Sequence, residues 1–587
     1  MNLRKAPLAV SLVALFILLY VSLLAQHFYV SKTIGEGFTI AKPTISIFTA
    51  LTWVKSYPEE FIRWCVICAI GIVVSVIGYC YCYYELRVNK PIKDMHGSAR
   101  FAKRAEIEKQ QLLDNKGVIV GGVKKRKIIS TTTEYLRHDG AEHILAVAPT
   151  RSGKGVSIVV PTLLTWPHSA IVTDIKGELW AMTSGWRQRH AKQHCYRLDV
   201  TNPDSAKFNP LDTIRVGEIE EIGDGQNIAT MLVDNGSGME GADSHWKKSA
   251  QALLSGLIVY AVNKAKLEGS TASLSDVALM IMSPDKRFSD VLEEGMFVAN
   301  SFSDSIAEFV KSSFNQHLAR ADEEGASVVS TTSNYLTLFR DPIISVNTSS
   351  SDFTVESLVN GDHPSTLYLV INPSDKTRLN PITRLIVTVL LRKLTNKLEF
   401  VSNRAESVNE YRCLLLLDEF PALGKLEVLT DTLAYMSTYG LKALLICQDF
   451  KQLWDKYGKN ESITGNCHLR VAFAPNVLET AKEISGMTGT STVVKQSKAQ
   501  YNTKMAIWST KHDNFNETAR PLMTPEEVMR LKGLEKTGEV VTAPGEVLVF
   551  VAGNHPIKGV QPLYFQDEHL LARSNCGSAD NTIGKVA

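Results

Sequence analysis

From residue 143 onward, the chain alternates between short apolar runs and longer segments with helical periodicity. The longer segments place apolar residues three and four positions apart, which is the spacing of one helix face. Strands separated by helices predict an α/β fold with a mostly parallel sheet covered on both faces. The predicted strands are 143–148, 168–173, 194–200, 366–372, 413–418, 442–447, 468–474 and 547–552, and the clearest helices are 154–165, 380–398 and 426–436.

Strand signals are missing between about 215 and 360, where amphipathic helical segments predict an inserted all-α domain. Its opening section, 218–243, contains seven acidic residues and no Lys or Arg, so we do not expect it to bind a phosphate backbone. A solvated face and a docking surface for a basic partner both fit this composition. At the other end of the chain, residues 574–587 are small and polar and predict a flexible tail.

Two uncharged apolar runs, 8–25 and 64–84, each reach the ~20 residues that a membrane-spanning helix needs. We therefore predict a transmembrane anchor over residues 1–90, with helices at about 8–26 and 63–84 and a small periplasmic loop between them. Lys and Arg flank both runs on their outer sides, which places both ends in the cytoplasm. This predicts a multi-pass protein of the bacterial inner membrane with most of the chain cytoplasmic. For the first run, a cleaved signal peptide is the alternative.

The chain has 587 residues, 44% of them hydrophobic and 21% charged, which suggests two or three domains of ordinary globular composition. Its net charge of +2 does not mark a nucleic-acid-binding protein, so DNA binding would need a local basic surface such as a ring of several copies. The nine cysteines are scattered and imply neither a disulfide framework nor a zinc site.

A glycine-rich turn, APTRSGKG at 148–155, lies between a predicted strand and a predicted helix. Such a turn directs backbone N–H groups, a lysine and a helix N-terminus at one anion. We predict that Lys154 reaches the β- and γ-phosphates of a nucleotide; a surface turn is the alternative. The position after the lysine usually provides a magnesium-binding hydroxyl but is glycine here, so a water or Thr150 has to replace it. The predicted nucleotide-binding residues are Thr150, Arg151, Ser152, Gly153, Lys154, Gly155 and Val156.

Four leucines at 414–417 precede Asp418 and Glu419. A buried strand that ends in two carboxylates is typical of a site that holds Mg²⁺ and activates a water beside a bound triphosphate. We assign Asp418 to Mg²⁺ and Glu419 to polarising the attacking water. Two acids that cap the following helix are the alternative. Together with the glycine-rich turn, this pattern predicts an ATPase that uses ATP and Mg²⁺.

Other polar residues end neighbouring predicted strands. Gln448 follows 442–447 and is predicted to sense the γ-phosphate or to place the water. Arg470 opens 468–474 and is our candidate for an arginine supplied to a neighbouring subunit, with a structural ion pair as the alternative. Asp174, Lys176 and Glu178 follow 168–173 and either support the site or cap the next helix.

At these residues the chain resembles the TraG-type coupling proteins of bacterial type IV secretion and conjugation systems. The shared motifs are HGSARFA (96–102), APTRSGKG (148–155), TDIKGE (173–178), FNPL (208–211), LDEFPALG (417–424), QDFKQL (448–453), RPLMTPEEVMR (520–530) and GEVLVF (545–550). The resemblance spans roughly residues 1–570.

The resemblance implies a RecA-like nucleotide-binding domain related to ring motors of the FtsK and HerA type, over residues 91–214 and 361–573. It also implies an all-α domain at 215–360 that selects substrates, and a homo-hexamer at the base of the secretion channel. Expected partners are a relaxase–DNA complex, protein effectors or both, and other type IV secretion components at the inner membrane. DNA binding would be non-specific.

Two functions therefore remain open: an ATP-driven translocase of DNA or protein, and a docking receptor that nucleotide merely stabilises. Gly155 and the lack of a secure arginine finger keep the second open. Zinc-dependent membrane proteases need a His-Glu pair, and no such pair occurs in the chain. The LSGG signature of ABC transporters is also absent.

Overall fold

The computed structural model describes residues 20, 58–88, 95–126, 131–234, 244–401, 404–499, 512–538 and 540–581. The chain divides into two compact units. One unit comprises residues 1–98 and 492–519, and the other comprises residues 99–491 and 520–587. All residues of the candidate site lie in the second unit.

A mixed sheet of eleven strands, counted over the described residues, lies at the centre of the second unit. Its order is β2-β1-β17-β16-β11-β3-β10-β9-β4-β6-β5. The seven strands from β11 to β5 are parallel to one another, and the four from β2 to β16 add an antiparallel edge. Leu445 of β10 pairs with Leu145 of β3, and Ile171 of β4 pairs with Leu415 of β9.

The strands of this sheet are β1 Val118–Arg126, β2 Thr131–His138, β3 Ile144–Val147, β4 Ser169–Ile175, β5 His194–Leu198, β6 Ser365–Ile371, β9 Cys413–Leu417, β10 Leu441–Cys447, β11 Leu469–Ala472, β16 Glu546–Val551 and β17 Ile557–Val560. Three two-stranded sheets pair β7 Leu398–Val401 with β8 Arg404–Ser407, β12 Thr490–Ala499 with β13 His512–Pro521, and β14 Glu535–Thr537 with β15 Val540–Ala543.

The helices are α1 Pro58–Val88, α2 Arg104–Lys109, α3 Val160–Leu163, α4 Glu178–Arg189, α5 Glu221–Val233, α6 Ser244–Glu268, α7 Leu274–Ile281, α8 Phe288–Val298, α9 Asp304–Leu318, α10 Asp322–Leu336, α11 Pro342–Asn347, α12 Ser357–Asn360, α13 Lys376–Leu394, α14 Glu427–Thr432, α15 Phe450–Tyr457, α16 Ile463–Asn466, α17 Leu478–Thr488, α18 Pro525–Met529 and α19 Glu568–Ser574. A π-helical turn, Gly155–Val159, runs directly into α3.

Both faces of the parallel strands are buried, because alternate side chains of each strand enter different hydrophobic cores. Leu145 and Val147 of β3 join one core, whereas Ile144 and Ala146 join the other. Successive side chains of a strand point to opposite faces, so a strand covered on both faces reads as a continuous apolar run. This explains the continuous apolar runs from which the strands were predicted.

All eight predicted strands are present, as β3, β4, β5, β6, β9, β10, β11 and β16, with ends that differ by at most a few residues. The predicted α/β class is therefore correct. The sheet is more mixed than expected, because β1, β2 and β17 extend it with antiparallel pairs.

The predicted localisation is contradicted. Helix α1 includes the second predicted span, and the first, about 8–26, lies outside the described residues except for Tyr20. Crossing a bilayer requires both length and sustained apolar character. Among the helices that the structure describes, none combines the two to the extent that a membrane span needs. The prediction of a multi-pass inner-membrane protein is therefore wrong on this finding.

Between β5 and β6, the described residues form helices and no strand. The acidic section at the start of this segment makes internal contacts that the sequence did not predict. Arg215 Nε donates to Asp224 Oδ2 at 2.8 Å, and Arg215 Nη1 lies 3.3 Å from Glu220 Oε1. Glu221 is buried and accepts a hydrogen bond of 2.6 Å from Gly217 N. Three of the seven acids thus make contacts at the start of α5.

The segment predicted to be a flexible tail, 574–587, makes hydrogen bonds to the sheet and to α4 in the part that the structure describes, to Asn581. Ala579 N donates to Ser184 Oγ of α4 at 2.8 Å, and Arg197 N of β5 donates to Asn581 Oδ1 at 3.0 Å. These hydrogen bonds lie between residues far apart in the chain, so composition alone did not indicate them.

Candidate functional site

The carboxyl ends of three neighbouring parallel strands, β3, β10 and β9, meet at one edge of the sheet. The glycine-rich turn follows β3, Gln448 follows β10, and Asp418 and Glu419 follow β9. Ligands of open α/β sheets bind at this edge. The topology therefore brings together residues that are about 270 positions apart in the sequence.

The glycine-rich turn, residues 148–155, has backbone angles that few side chains tolerate. Arg151 has φ 60° and Gly153 has φ 95°. A Cβ atom at Gly153 would lie 2.6 Å from Leu534 Cδ1 and 2.8 Å from Gln561 Oε1, closer than real Cβ contacts. The positive φ favours glycine here, and the turn packs closely against the side chains of Leu534 and Gln561.

Lys154 contacts both members of the acidic pair, Asp418 and Glu419. Its Nζ is 2.6 Å from Asp418 Oδ1 and 3.6 Å from Glu419 Oε1. The lysine side chain is 14% exposed and each carboxylate side chain is 24% exposed, so all three groups remain open to a ligand. An ammonium group beside two carboxylates at a helix start is the charge arrangement that a magnesium-bound triphosphate requires.

Glu419 is held in a specific orientation. Its backbone has φ 53°, which is uncommon outside glycine and often occurs at functional sites. Gln448 Nε2 donates to Glu419 Oε1 at 2.9 Å, and Gln452 Nε2 donates to Gln448 Oε1 at 3.2 Å. The glutamine chain orients the carboxylate of Glu419, a contact that the sequence did not predict for Gln448.

Two residues at this edge were not among the predicted site residues. Thr173 Oγ1 accepts from Asp418 N at 2.8 Å and donates to Asp418 O at 3.2 Å, which fixes the backbone at the end of β9. Lys376, the first residue of α13, places its Nζ 3.7 Å from Glu419 Oε2. Thr173 is the last residue of a predicted strand, so the expectation that polar residues at strand ends gather at one edge of the sheet could have identified it. Lys376 lies in no motif that marks it.

The site suits Mg²⁺ and a phosphate chain. No group of three or more His, Cys, Asp or Glu side chains forms a metal cage among the described residues. Magnesium does not need one, because it usually binds one or two carboxylates together with water and substrate phosphate. Ser152 Oγ is buried in the turn and has no hydrogen-bond partner within the described part of the chain, so it is available to a phosphate oxygen.

Arg470 is not brought to the acidic pair within the chain. Its Nη2 donates to Thr464 O at 2.9 Å, and its Nη1 lies 3.6 Å from Met487 Sδ. In the described part of the chain, its contacts are thus hydrogen bonds beside the start of β11 and no ion pair.

The three charged residues that follow the predicted strand 168–173 contact residues close to them in the sequence. Asp174 Oδ2 accepts from Trp180 N at 2.8 Å, which caps α4, and burial raises the pKa of Asp174. Lys176 Nζ lies 3.7 Å from Glu178 Oε1, and both side chains are exposed. The helix-capping alternative thus describes Asp174, and the structure brings none of the three to Glu419.

Gly155 has room for the missing hydroxyl, because a Cβ atom built there meets no atom within 4 Å. We expect Gly155→Ser to raise the affinity for Mg²⁺ in the presence of ATP by about fivefold, the equivalent of one added polar contact. A magnesium titration of nucleotide binding measures this. Gly155→Ala is the matched control, since it adds the Cβ without the oxygen. Equal magnesium affinities in the two variants would contradict the prediction.

The family model described as "Type IV secretory system Conjugative DNA transfer" matches residues 100–583. The chain is 41% identical over 549 residues to a conjugal transfer protein TraG of Escherichia coli, covering 89% of this chain and 85% of the relative. It is 26% identical to protein VirD4 of Agrobacterium fabrum, covering 87% of this chain and 71% of that protein.

Among solved structures, the chain is similar to the bacterial conjugative coupling protein TrwBdeltaN70 in its unbound form. The TM-score is 0.56 at 16% sequence identity, covering 81% of this chain and 96% of the other. A structure of plasmid coupling protein TrwB in complex with ADP and Mg²⁺ matches with a TM-score of 0.54, over 79% of this chain and 94% of the other. At this identity, the match establishes a shared α/β fold.

Proposed function

The chain belongs to the type IV secretory system family for conjugative DNA transfer, and we propose on that basis that it is an ATP-hydrolysing coupling protein. It recruits DNA, as a relaxase–DNA complex, or protein substrates, or both, and drives them to the secretion channel. The proposal depends on one observation above all, the ammonium group of Lys154 beside Asp418 and Glu419 at the carboxyl edge of the sheet.

Each residue of the site has a role in this proposal. Lys154 and the backbone N–H groups of the turn 150–156 bind the phosphates of ATP. Asp418, held by Thr173, would be the carboxylate ligand of Mg²⁺, which when bound neutralises charge on the phosphate oxygens. Glu419 accepts a proton from the attacking water, and Gln448 keeps its carboxylate in position. The nucleotide complexes of the TrwB structures support ATP and Mg²⁺ as the cofactors.

The assembly and the choice of substrate belong to the same proposal. A homo-hexamer would bring Arg470, the candidate arginine finger, from one subunit to the site of the next. The helical segment 215–360 would select substrates as a separate domain between two parts of the nucleotide-binding domain, 91–214 and 361–573. DNA binding in such a ring would be non-specific and sensitive to salt.

One observation favours a different function. Without a hydroxyl after Lys154, magnesium loses a usual ligand, and this weakens the argument for hydrolysis more than the argument for nucleotide binding. A docking receptor that binds nucleotide and passes substrates to another ATPase would retain Lys154 and Asp418 for affinity alone.

ATP hydrolysis by the full chain, with and without single-stranded DNA, tests the proposal. We expect magnesium-dependent hydrolysis that DNA stimulates, and Glu419→Gln should lower kcat by about 100-fold or more while ATP still binds. Glu427→Gln is the matched control, because that exposed acid pairs with Lys425 at 3.0 Å. Equal kcat values for wild type and Glu419→Gln would remove the enzyme assignment. Undiminished DNA transfer from donor cells carrying Glu419→Gln would favour the docking receptor.

A further inference from the structure

One face of helix α13 lies along the turn that carries the acidic pair. Asn380 Nδ2 donates to Ala422 O at 3.2 Å, and Arg384 Nη2 donates to Lys425 O at 2.9 Å. Lys376, Asn380 and Arg384 are spaced by four residues, so their side chains share one helix face. The helix therefore holds the segment 418–425 at three successive turns.

Lys376 is the member of this face that reaches the carboxylate of Glu419. Its Nζ lies 3.7 Å from Glu419 Oε2, whereas Gln448 and Lys154 approach Oε1 at 2.9 Å and 3.6 Å. The two oxygens of the carboxylate thus have different neighbours. The lysine side chain is 27% exposed, so this ion pair lies at the edge of the site, partly screened from water.

The geometry points to Lys376 as a positioning residue for Glu419 during ATP hydrolysis, an inference that rests on the proposed function. When ATP is bound, the phosphates compete for Lys154, which then no longer serves the carboxylate. Lys376 comes from a different strand end, after β6, and remains on Oε2. With Oε2 held, Oε1 keeps the orientation that Gln448 supports and is the oxygen that accepts the proton.

The alternative is that Lys376 merely stabilises the start of α13. A cation at a helix N-terminus is unfavourable, because the helix dipole is positive there. Helix stability therefore does not explain a lysine at this position. Its contact with Glu419 offsets the unfavourable interaction with the helix dipole. The hydrogen bonds of Asn380 and Arg384 already attach the helix to the turn without it.

Steady-state hydrolysis by Lys376→Ala, Lys376→Gln and Lys376→Arg tests this inference in the full chain. We expect kcat to fall about tenfold in the alanine and glutamine variants, with KM for ATP within about twofold of wild type. Lys376→Arg should restore most of kcat, because it returns a cation to Oε2. Lys425→Ala is the matched control, since this partly exposed lysine lies in the same segment 418–425 and pairs with Glu427 at 3.0 Å.

A double variant separates positioning from helix stability. If Lys376 acts through the carboxylate, Lys376→Ala with Glu419→Gln should be no slower than Glu419→Gln alone. A further drop in kcat in the double variant, an unchanged kcat in Lys376→Ala, or no recovery with arginine would each overturn the inference.

These outcomes are distinct from failure of the proposed function. Absence of hydrolysis in the wild type, or insensitivity to Glu419→Gln, would refute the ATPase itself and with it the role of Lys376. Hydrolysis that needs Glu419 but not Lys376 would refute the positioning role alone.

Discussion

Replacing Lys154 by alanine should lower kcat/KM for ATP hydrolysis by at least about 100-fold, the loss expected when one donor to a developing charge is removed. The substitution removes the cation that lies 2.6 Å from Asp418 and 3.6 Å from Glu419. The two carboxylates then lose the cation that they share beside the triphosphate, so ATP binding weakens as well. Titration with a fluorescent ATP analogue and steady-state hydrolysis measure the two effects.

Two comparisons show whether the Lys154→Ala result comes from unfolding or from the loss of any nearby lysine. The ion pairs of Lys154 are partly exposed, so the free energy of unfolding should change by no more than about 1 kcal/mol. Lys425→Ala removes a lysine from the same turn region, where it pairs with Glu427, and should leave hydrolysis unchanged. A Lys154→Ala variant that retains a third or more of the wild-type rate would show that the turn is not a phosphate-binding loop.

The centre of the sheet and of the site could be predicted because the physical causes are local in sequence. Strands β3, β9 and β10 are buried on both faces, so each reads as an uninterrupted apolar run. Parallel strands bring their carboxyl ends to one edge, so Lys154, Asp418 and Gln448 could be grouped without coordinates. Their contacts in the structure follow from that topology.

The antiparallel edge could not be predicted because the sequence of β1 contains a pattern that indicates a turn instead of a strand. Two glycines, Gly121 and Gly122, interrupt the apolar run of β1, and adjacent glycines are usually a turn signal. In the structure they permit close approach of β2, since a Cβ at Gly122 would lie 2.7 Å from Thr133 Cγ2. The pairing is also irregular between Ile119 and Gly121, which disturbs the alternation of the strand.

Lys376 and Arg470 show a different limit of sequence reasoning. Lys376 lies in no recognised motif. It contacts Glu419 only because α13 packs along the segment 418–425. Arg470 sits at a strand start that suits an arginine finger, yet its guanidinium hydrogen-bonds to Thr464 within the same chain. Side-chain partners of this kind depend on tertiary packing, which periodicity does not encode.

Arg187 is the position where we expect the largest loss of stability from one substitution. Its guanidinium is 1% exposed and donates to three carbonyl oxygens, of Leu163 at 2.6 Å, Trp166 at 3.0 Å and His168 at 3.0 Å. Its Nε donates to Thr366 Oγ1 at 2.7 Å. The acceptors lie on α3, which follows the glycine-rich turn, on the loop that leads into β4 and on β6, and burial lowers the pKa of Arg187 without neutralising so basic a group.

Arg187→Ala should lower the free energy of unfolding by about 3–5 kcal/mol, because it leaves several buried acceptors unpaired and opens a cavity. Urea unfolding followed by tryptophan fluorescence measures this, since Trp166, Trp180 and Trp186 lie in the same region. Arg189→Ala is the matched control two positions along α4; its exposed side chain hydrogen-bonds to Ser578 O, and its loss should cost about 0.5 kcal/mol. If the two variants unfolded at the same urea concentration, water would have to replace the guanidinium at every buried carbonyl, and Arg187 would not be what joins α3 to the sheet.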